Sequence, residues 1–404
     1  MALSKIDIEN MVTGETPVAN GGTGQTTFAA AGLDKRPNAK PIIVNGNMAV
    51  AQRSASVTGI GDGDSGYHTI DRFRFEEGNS PSAVWTMTQE SLTSGNAYNA
   101  GFTKALKMDC TTSDDASGHG DILNVIKYAT EQHDTHLFKK GTANAEKYTV
   151  AFWIKATKTG THICELRDSS NDRACSVAYT VSTTNTWEHK VLNFPADATG
   201  ATGTATTKGL EIYWSLYSGS GYQGATLQTA WAGSATNKRY TGQVNNADST
   251  SNNWHLTGVQ LEVGEYSSTT LPPFQHESYG DNLARCRRYT QLHMNTDANG
   301  GPFLNQCFAY TSSNWQSSLQ LVPPMRAVPT VTSVSSSNAY VIFSNGGTVN
   351  YNQIDLNDAT LSGGVCTTVD LALDGASGGT AGHAGKTRGN STGAGTMCLL
   401  VSEL

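Results

Sequence analysis

Aromatic rings alternating with charged residues are the side chains in this chain best placed to do chemistry. In Tyr148-Thr-Val-Ala-Phe-Trp-Ile-Lys155, the two-residue period puts Val150, Phe152 and Ile154 on one face and Trp153 and Lys155 on the other. Gly209-Leu-Glu-Ile-Tyr-Trp-Ser-Leu-Tyr217 repeats the pattern, with Leu210, Ile212, Trp214 and Leu216 facing a core and Glu211, Tyr213 and Tyr217 facing away. Flat rings on a polar face can stack on the C–H faces of sugars while Lys155 and Glu211 pair with hydroxyls. The same rings could pack against a neighbouring domain or subunit, and exposure separates the two readings. Trp315, in the run Thr311-Ser-Ser-Asn-Trp-Gln316, is expected in a loop as a tip contact, whereas Trp85, Trp187, Trp214 and Trp254 are expected in cores.

Other constellations point to less. Gly21-Gly-Thr-Gly-Gln-Thr-Thr27 lacks the lysine that a phosphate loop needs, because Gln25 stands there. Gly61-Asp-Gly-Asp-Ser-Gly66 begins like a calcium loop, but Phe73 occupies the position of the closing acid. It reads as a tight acidic turn, with a structural calcium held by these or other oxygens as the alternative. His133 and His136 lack a third spaced ligand for zinc. Asp114, Asp115, Asp121, Glu131, Glu211 and Glu262 could supply the paired carboxylates of a glycoside hydrolase, but no pairing is legible in sequence. The expectation is a non-enzymatic chain without a metal or cofactor.

The elements that would position these residues are strands. Charged residues make up only 15% of the 404 residues, and 42 are glycine, which with many Ser, Thr and Asn suits short strands joined by turns. Asn253–Val263, Ala339–Phe343 and Met397–Val401 are further strands, and Asp374–Gly395 is expected to be loop. One helix is expected over 278–289, capped by Ser278, with Tyr279, Leu283 and Cys286 on its buried face and Arg285, Arg287 and Arg288 toward its C-terminal end. The whole is expected to be all-β, a jelly-roll β-sandwich with a smaller C-terminal β-rich knob. The expected units are a segment 1–36, a sandwich 37–277, a linker helix 278–290 and a terminal unit 291–404.

A net charge of −7 leaves no basic footprint for nucleic acid, and no apolar run approaches a bilayer-spanning length. Acids in the first residues argue against a secretory leader. Seven cysteines without C-x-x-C spacing are expected as reduced, buried thiols. Residues 1–36 carry Leu3, Ile6, Met11 and Phe28 but too little apolar surface for a core, so these four need burial on a partner or on copies of the same segment.

The run PVANGGTGQTT, from Pro17 to Thr27, resembles a signature near the N-termini of bacteriophage tail-fibre and other virion-fibre proteins. NGNMAVAQRS (Asn45 to Ser54) and YHTIDRFRF (Tyr67 to Phe75) resemble the opening of a jelly-roll domain of phage fibres. YTVAFWIKATKTG, NTWEHKVLNFP, GLEIYWSLYSGS and WHLTGVQLEVGEYSSTTLPPFQHESYGDNLARCRRY follow in the family's order. MRAVPTVT and the terminal VSEL resemble its C-terminal unit, where the match is weakest. The resemblance implies a carbohydrate-binding-module-like sandwich in a homotrimeric virion fibre, made in the bacterial cytoplasm, joined to other virion proteins through residues 1–36, and recognising a host-surface glycan. A glycan-cleaving spike and a capsid decoration fibre are the alternatives.

Overall fold

The computed structural model describes residues 40–116, 120–296, 303–344, 347–374, 379–389 and 396–404. Leu3, Ile6, Met11 and Phe28, and the glycine-rich run Gly21–Thr27, lie outside the described residues. The fold is all-β, a jelly-roll sandwich followed by a smaller β-rich unit.

The sandwich strands are β1 (Ser56–Ile60), β2 (Phe73–Gly78), β3 (Val84–Ser91), β4 (Lys104–Thr112), β5 (Leu123–Glu131) and β6 (Tyr148–Ala156). They continue with β7 (Gly160–Asp168), β8 (Arg173–Val181), β9 (Glu188–Phe194), β10 (Lys208–Ser218), β11 (Ala232–Gly233) and β12 (Asn253–Val263). One antiparallel sheet has the order β1-β3-β4-β12-β6-β9, and the other β11-β8-β7-β10-β5-β2. Their inner faces supply one core, which includes Phe73, Trp85, Val150, Phe152, Ile154, Ile212, Trp214 and Trp254, all removed from solvent. Burying such side chains stabilises by about 1.5–3 kcal/mol each. Trp85 brings its polar edge inside at low cost by donating Nε1–H to Asn124 Oδ1 at 2.8 Å.

Two bulges decide which side chains reach that core. In β12 the register shifts between Thr257 and Gln260, with Gly258 at φ +62° between them. A Cβ there would stand 2.7 Å from the Phe102 ring and 2.9 Å from Trp153, so only glycine lets both rings approach. In β10 the shift between Ser215 and Tyr217 turns Tyr217 inward beside Leu216.

The second unit holds β13 (Thr290–Thr296), β14 (Phe303–Ala309), β15 (Trp315–Met325), β16 (Thr330–Ser333) and β17 (Tyr340–Ser344). It ends with β18 (Gly347–Tyr351), β19 (Gln353–Ser362), β20 (Val365–Asp374), β21 (Ala384–Gly389) and β22 (Thr396–Val401). A three-stranded sheet β13-β22-β16 accompanies a seven-stranded sheet β18-β17-β21-β14-β15-β20-β19. Part of the expected Asp374–Gly395 loop is therefore strand. β21 pairs with both β14 and β17, burying Thr387 between outward-facing Lys386 and Arg388. Gly385 is required where β21 crosses Trp315, since a Cβ would meet Ile342 at 2.7 Å.

The helix Tyr279–Arg287 joins the units. Ser278 Oγ accepts from the Asp281 backbone N–H at 3.1 Å, the expected cap. Its buried face is Asn282 and Cys286, with Leu283 packed beside them against Val44 and Val50, whereas Tyr279 is 61% exposed. The expected face is corrected there: Tyr279 opens the first turn, beyond the reach of the sandwich. All seven cysteines are buried free thiols.

A buried polar hub fastens the C-terminus to the sandwich. Arg72 pairs with Glu403, donates to the Ala129 carbonyl and lies 3.5 Å from the Tyr289 ring centre. Arg53 reaches Thr290 Oγ1 at 2.7 Å and Glu403 at 3.2 Å. Burial raises the Glu403 carboxyl, but Arg72 and Arg53 outweigh it and hold the group below the ordinary glutamate value.

Candidate functional site

The outer face of the β11-β8-β7-β10-β5-β2 sheet carries the richest set of polar and aromatic side chains. Because Ile212 and Trp214 point inward, Glu211 and Tyr213 point out; because Phe73 and Phe75 point inward, Arg74 and Glu76 point out. Strand register then aligns Arg74, Lys127, Tyr213, Glu165 and Ser176 in one row across five strands. The next row aligns Ala129, Glu211, Arg167 and Ala174.

Ion pairs hold these rows in place. Lys127 Nζ lies 2.6 Å from Glu211 and 3.2 Å from Glu76, while Lys208 lies 3.1 Å from Glu211. Ser169 Oγ also donates to Glu211. The segment after β10 folds over the far end of the row. Arg239 grips Glu165 with Nε at 2.8 Å and Nη2 at 2.6 Å, and the Tyr240 hydroxyl donates to the same carboxylate at 2.8 Å. Tyr222 and Leu227 pack over Tyr213, Tyr240, Val125 and Ile163.

This environment fixes charge. Burial pushes Glu211 up, but Lys127 and the bonds from Lys127 and Ser169 bring it below the usual glutamate value. Burial opposes the Lys127 charge, yet Glu211, Tyr213 and Glu76 raise its pKa well above that of a free lysine. Burial likewise pushes the Tyr213 hydroxyl far up. At neutral pH the centre of the face holds a carboxylate, an ammonium and a neutral phenol. That set transfers protons poorly and forms a buried, internally matched floor beneath the face. At its rim Arg74 and Arg167 are 30% and 25% exposed, and the Nε of each has no hydrogen-bond partner. Both Nε atoms are shielded from solvent, and Arg74 Nε lies 3.6 Å from the Glu76 carboxylate.

The six residues singled out from the sequence do not converge. Glu211 and Tyr213 lie on this face, but as its buried floor rather than as exposed groups. Trp153 and Lys155 lie on the outer face of the opposite sheet. There Trp153 is half-buried with Phe102 and Phe274 and 5.0 Å from the His189 ring, while Lys155 lies 5.3 Å over Trp187 and 3.6 Å from Glu90. Tyr217 is inside the core, its hydroxyl donating to Asp114 at 2.9 Å, because the bulge reverses the alternation. Trp315 opens β15 and is buried in the second unit's core, not in a tip loop. The outward-facing expectation for Tyr217 and the tip-loop expectation for Trp315 are therefore corrected, and Trp153 and Tyr213 are packed rather than open rings. Arg74 and Glu76 were open to the alternation in FRFEEG; Lys127, Glu165, Arg167 and Arg239 carried no signal beyond being polar, and β5 reads as an apolar run.

The carboxylates considered for hydrolysis are scattered. Glu131 is gripped by Arg288 and Tyr289 at the junction, Asp114 by Tyr217, and Glu262 stands on the other sheet. Asp64 closes its own turn by accepting from the Gly61 N–H at 2.9 Å. His133 and His136 have ring centres 6.1 Å apart in the short helix Gln132–Phe138. Among the described residues no group of three or more His, Cys, Asp or Glu side chains could hold a metal. One oxygen cage does exist, but an ammonium fills it. Lys140 Nζ lies 2.6 Å from Asp168, 3.1 Å from Asp197, 3.2 Å from the Thr199 carbonyl and 2.5 Å from that of Gly200.

No family model matches the chain, and no curated protein matches it. Among solved structures, the enzymatically active domain of tailspike protein 4 of bacteriophage CBA120 is similar at 10% identity over 55% of this chain and 21% of that one, with a TM-score of 0.29. The family 11 carbohydrate-binding module of the Clostridium thermocellum cellulase Lic26A-Cel5E is similar at 10% identity over 53% of this chain and 99% of that one, at TM-score 0.26. TmCBM61, solved with β-1,4-galactotriose, is similar at 10% identity over 56% and 99% of the two chains, at TM-score 0.25. The chain thus spans about a fifth of the tailspike's length and nearly all of each module's. At these scores the likenesses carry no argument about what this chain binds.

Proposed function

We propose that the chain is a non-catalytic glycan-binding fibre protein of a bacteriophage, with the outer face of the β11-β8-β7-β10-β5-β2 sheet as its saccharide surface. The ordered resemblance from Pro17 to Leu404 supports the fibre reading, with residues 1–36 joining other virion proteins, a homotrimer as the assembled form and host adsorption as the role. The observation that carries glycan binding is the rim of the row Arg74–Lys127–Tyr213–Glu165, where the part-exposed side chains of Arg74, Arg167 and Glu76 stand over a buried floor of fixed charge. Hydroxyl-rich ligands are recognised by such preset donors and acceptors. The non-catalytic reading is supported by the Lys127 ammonium that helps hold Glu211 below the ordinary glutamate value, since a general acid needs a raised pKa.

The test is binding of the purified protein to a panel of bacterial surface polysaccharides, with reducing-end release measured in parallel. Arg74→Ala with Arg167→Ala should weaken the retained glycan about tenfold or more, while urea unfolding changes by less than about 1 kcal/mol. No binding across the panel would remove the glycan reading, and catalytic release of reducing ends would replace the non-catalytic one.

A further inference from the structure

The seven-stranded sheet of the second unit has a solvent face unlike either outer face of the sandwich. Register aligns Thr348, Phe343, Lys386 and Gln306 in one row and Asn350, Val341, Arg388 and Phe303 in the next. Phe308 follows beside Ala384 and Gln316. Phe303, Phe308 and Phe343 are 55%, 42% and 38% exposed, on the two strands β14 and β17 that flank β21, which carries the cations. Lys386 Nζ stands 5.5 Å from the Phe303 ring centre, and the Arg388 guanidinium carbon 4.5 Å from that of Phe343. Among the described residues neither cation has a carboxylate within ion-pair distance, and Arg388 Nε, shielded from solvent, has no hydrogen-bond partner.

We infer that this face is a second saccharide site, selective for sugars that carry carboxylates. Exposed phenyl rings offer stacking faces, and a contiguous apolar patch of this kind marks a binding surface. The cations decide the ligand's charge. In a chain of net charge −7, two unpaired cations held over aromatic rings are a local exception, and a carboxylate is the group that completes them. A row with Gln306, Gln316 and Thr348 beside the rings supplies partners for hydroxyls. A neutral sugar would use the rings and leave both cations without a partner. The inference rests on the glycan-binding reading above but names a different face and a narrower ligand class.

The experiment uses the full-length protein with polygalacturonate as the acidic probe and dextran as the neutral one. Polygalacturonate should bind, should weaken as salt rises from 50 to 500 mM, and should lose at least tenfold in affinity in Lys386→Glu and Arg388→Glu, and severalfold in Phe343→Ala. Lys147→Glu, an exposed lysine on the sandwich, should bind as the parent does. Thermal unfolding of each variant checks that the unit remains folded, and Lys386→Gln, the milder change, should fall between parent and charge reversal. Binding of polygalacturonate that ignores these substitutions, equal binding of dextran at this face, or no binding of polygalacturonate overturns the inference. So does equal competition by a single-stranded oligonucleotide, which would make the site one for polyanions in general, or a change of oligomeric state in Phe343→Ala, which would make the rings a subunit contact. Retention that depends on Lys386 and Arg388 upholds it even where Arg74 and Arg167 prove idle, so the two readings fail separately.

Discussion

In the sandwich, charge is drawn inward and matched; in the second unit, it is left on the surface beside open rings. The sandwich hides Lys127, Glu165, Glu211, Lys140 and Arg72 and gives each an opposite charge. The second unit keeps its buried residues largely apolar and puts Lys386 and Arg388 outside. The difference follows from size. The sandwich has two sheets and covering segments such as 219–246, so its outer faces are partly roofed and their charges must find partners. The second unit's large sheet has one covered face, and the other meets water. A buried charge specifies geometry at a cost in solvation, whereas a surface charge remains available to a ligand.

The largest break in that comparison comes from Lys140. Its side chain is 4% exposed and its ammonium satisfies Asp168, Asp197 and two backbone carbonyls at once. Lys140→Ala leaves buried Asp168 without its cation and Asp197 with Arg173 alone, at 2.7 Å, which should cost about 3–5 kcal/mol in urea unfolding. The emptied cage is made of hard oxygens, so millimolar calcium should raise the midpoint of the variant and leave the parent unchanged. A loss below about 1 kcal/mol would put the cluster with ordinary surface pairs and weaken the contrast.

Lys140 also shows where sequence reading reached its limit. Strand existence was legible wherever a core face alternated over several residues, as in β6 and most of β10 and β12, and so were the buried Trp85, Trp214 and Trp254. Alternation names a face but not what covers it. Tyr213 does point away from the core, and the segment carrying Tyr222, Arg239 and Tyr240 then roofs it. The bulge at Ser215–Tyr217 reversed the face of one ring, and no residue type announced it. Glycine content suggested loop around β21, where Gly385 instead serves close packing against Trp315 and Ile342. The charge partners of Lys140, Asp168 and Asp197, come from two separated segments, and such long-range matching leaves no periodic trace.

A middle-sized effect should come from Glu262, a sandwich charge that is not well matched. Burial raises its carboxyl to about 7, and a hydrogen bond from Gln260 at 3.3 Å lowers it only in part. A folded-state value above the unfolded one means that the folded protein holds the proton more tightly. Stability from this group is complete below about pH 4.5 and is lost as pH rises through 7. Glu262→Gln should therefore match the parent at pH 4 and exceed it at pH 8 by about 1–2 kcal/mol, allowing for partial exposure. Urea midpoints across that range measure it. A variant equally stabilised at both pH values would show that packing, not ionisation, is at work.

The smallest effect sharpens the contrast most. Phe343 on the second unit's open sheet and Tyr213 on the sandwich are both rings on outer faces with a guanidinium nearby, Arg388 at 4.5 Å and Arg239 at 5.4 Å. Tyr213 is 4% exposed and shares its cluster with Val125, Ile163 and Tyr240, whereas Phe343 is 38% exposed. Truncating a packed ring costs about 3–5 kcal/mol, and truncating a surface one stays within about 0.5 kcal/mol. Tyr213→Ala should thus unfold at clearly lower urea, while Phe343→Ala should be nearly indistinguishable from the parent. The ring that matters little to folding is then the one free to meet a ligand. A loss of more than about 1.5 kcal/mol in Phe343→Ala would mean that its phenyl group is already in use as packing. The open face would then belong with the roofed faces of the sandwich, as a surface settled within the protein itself.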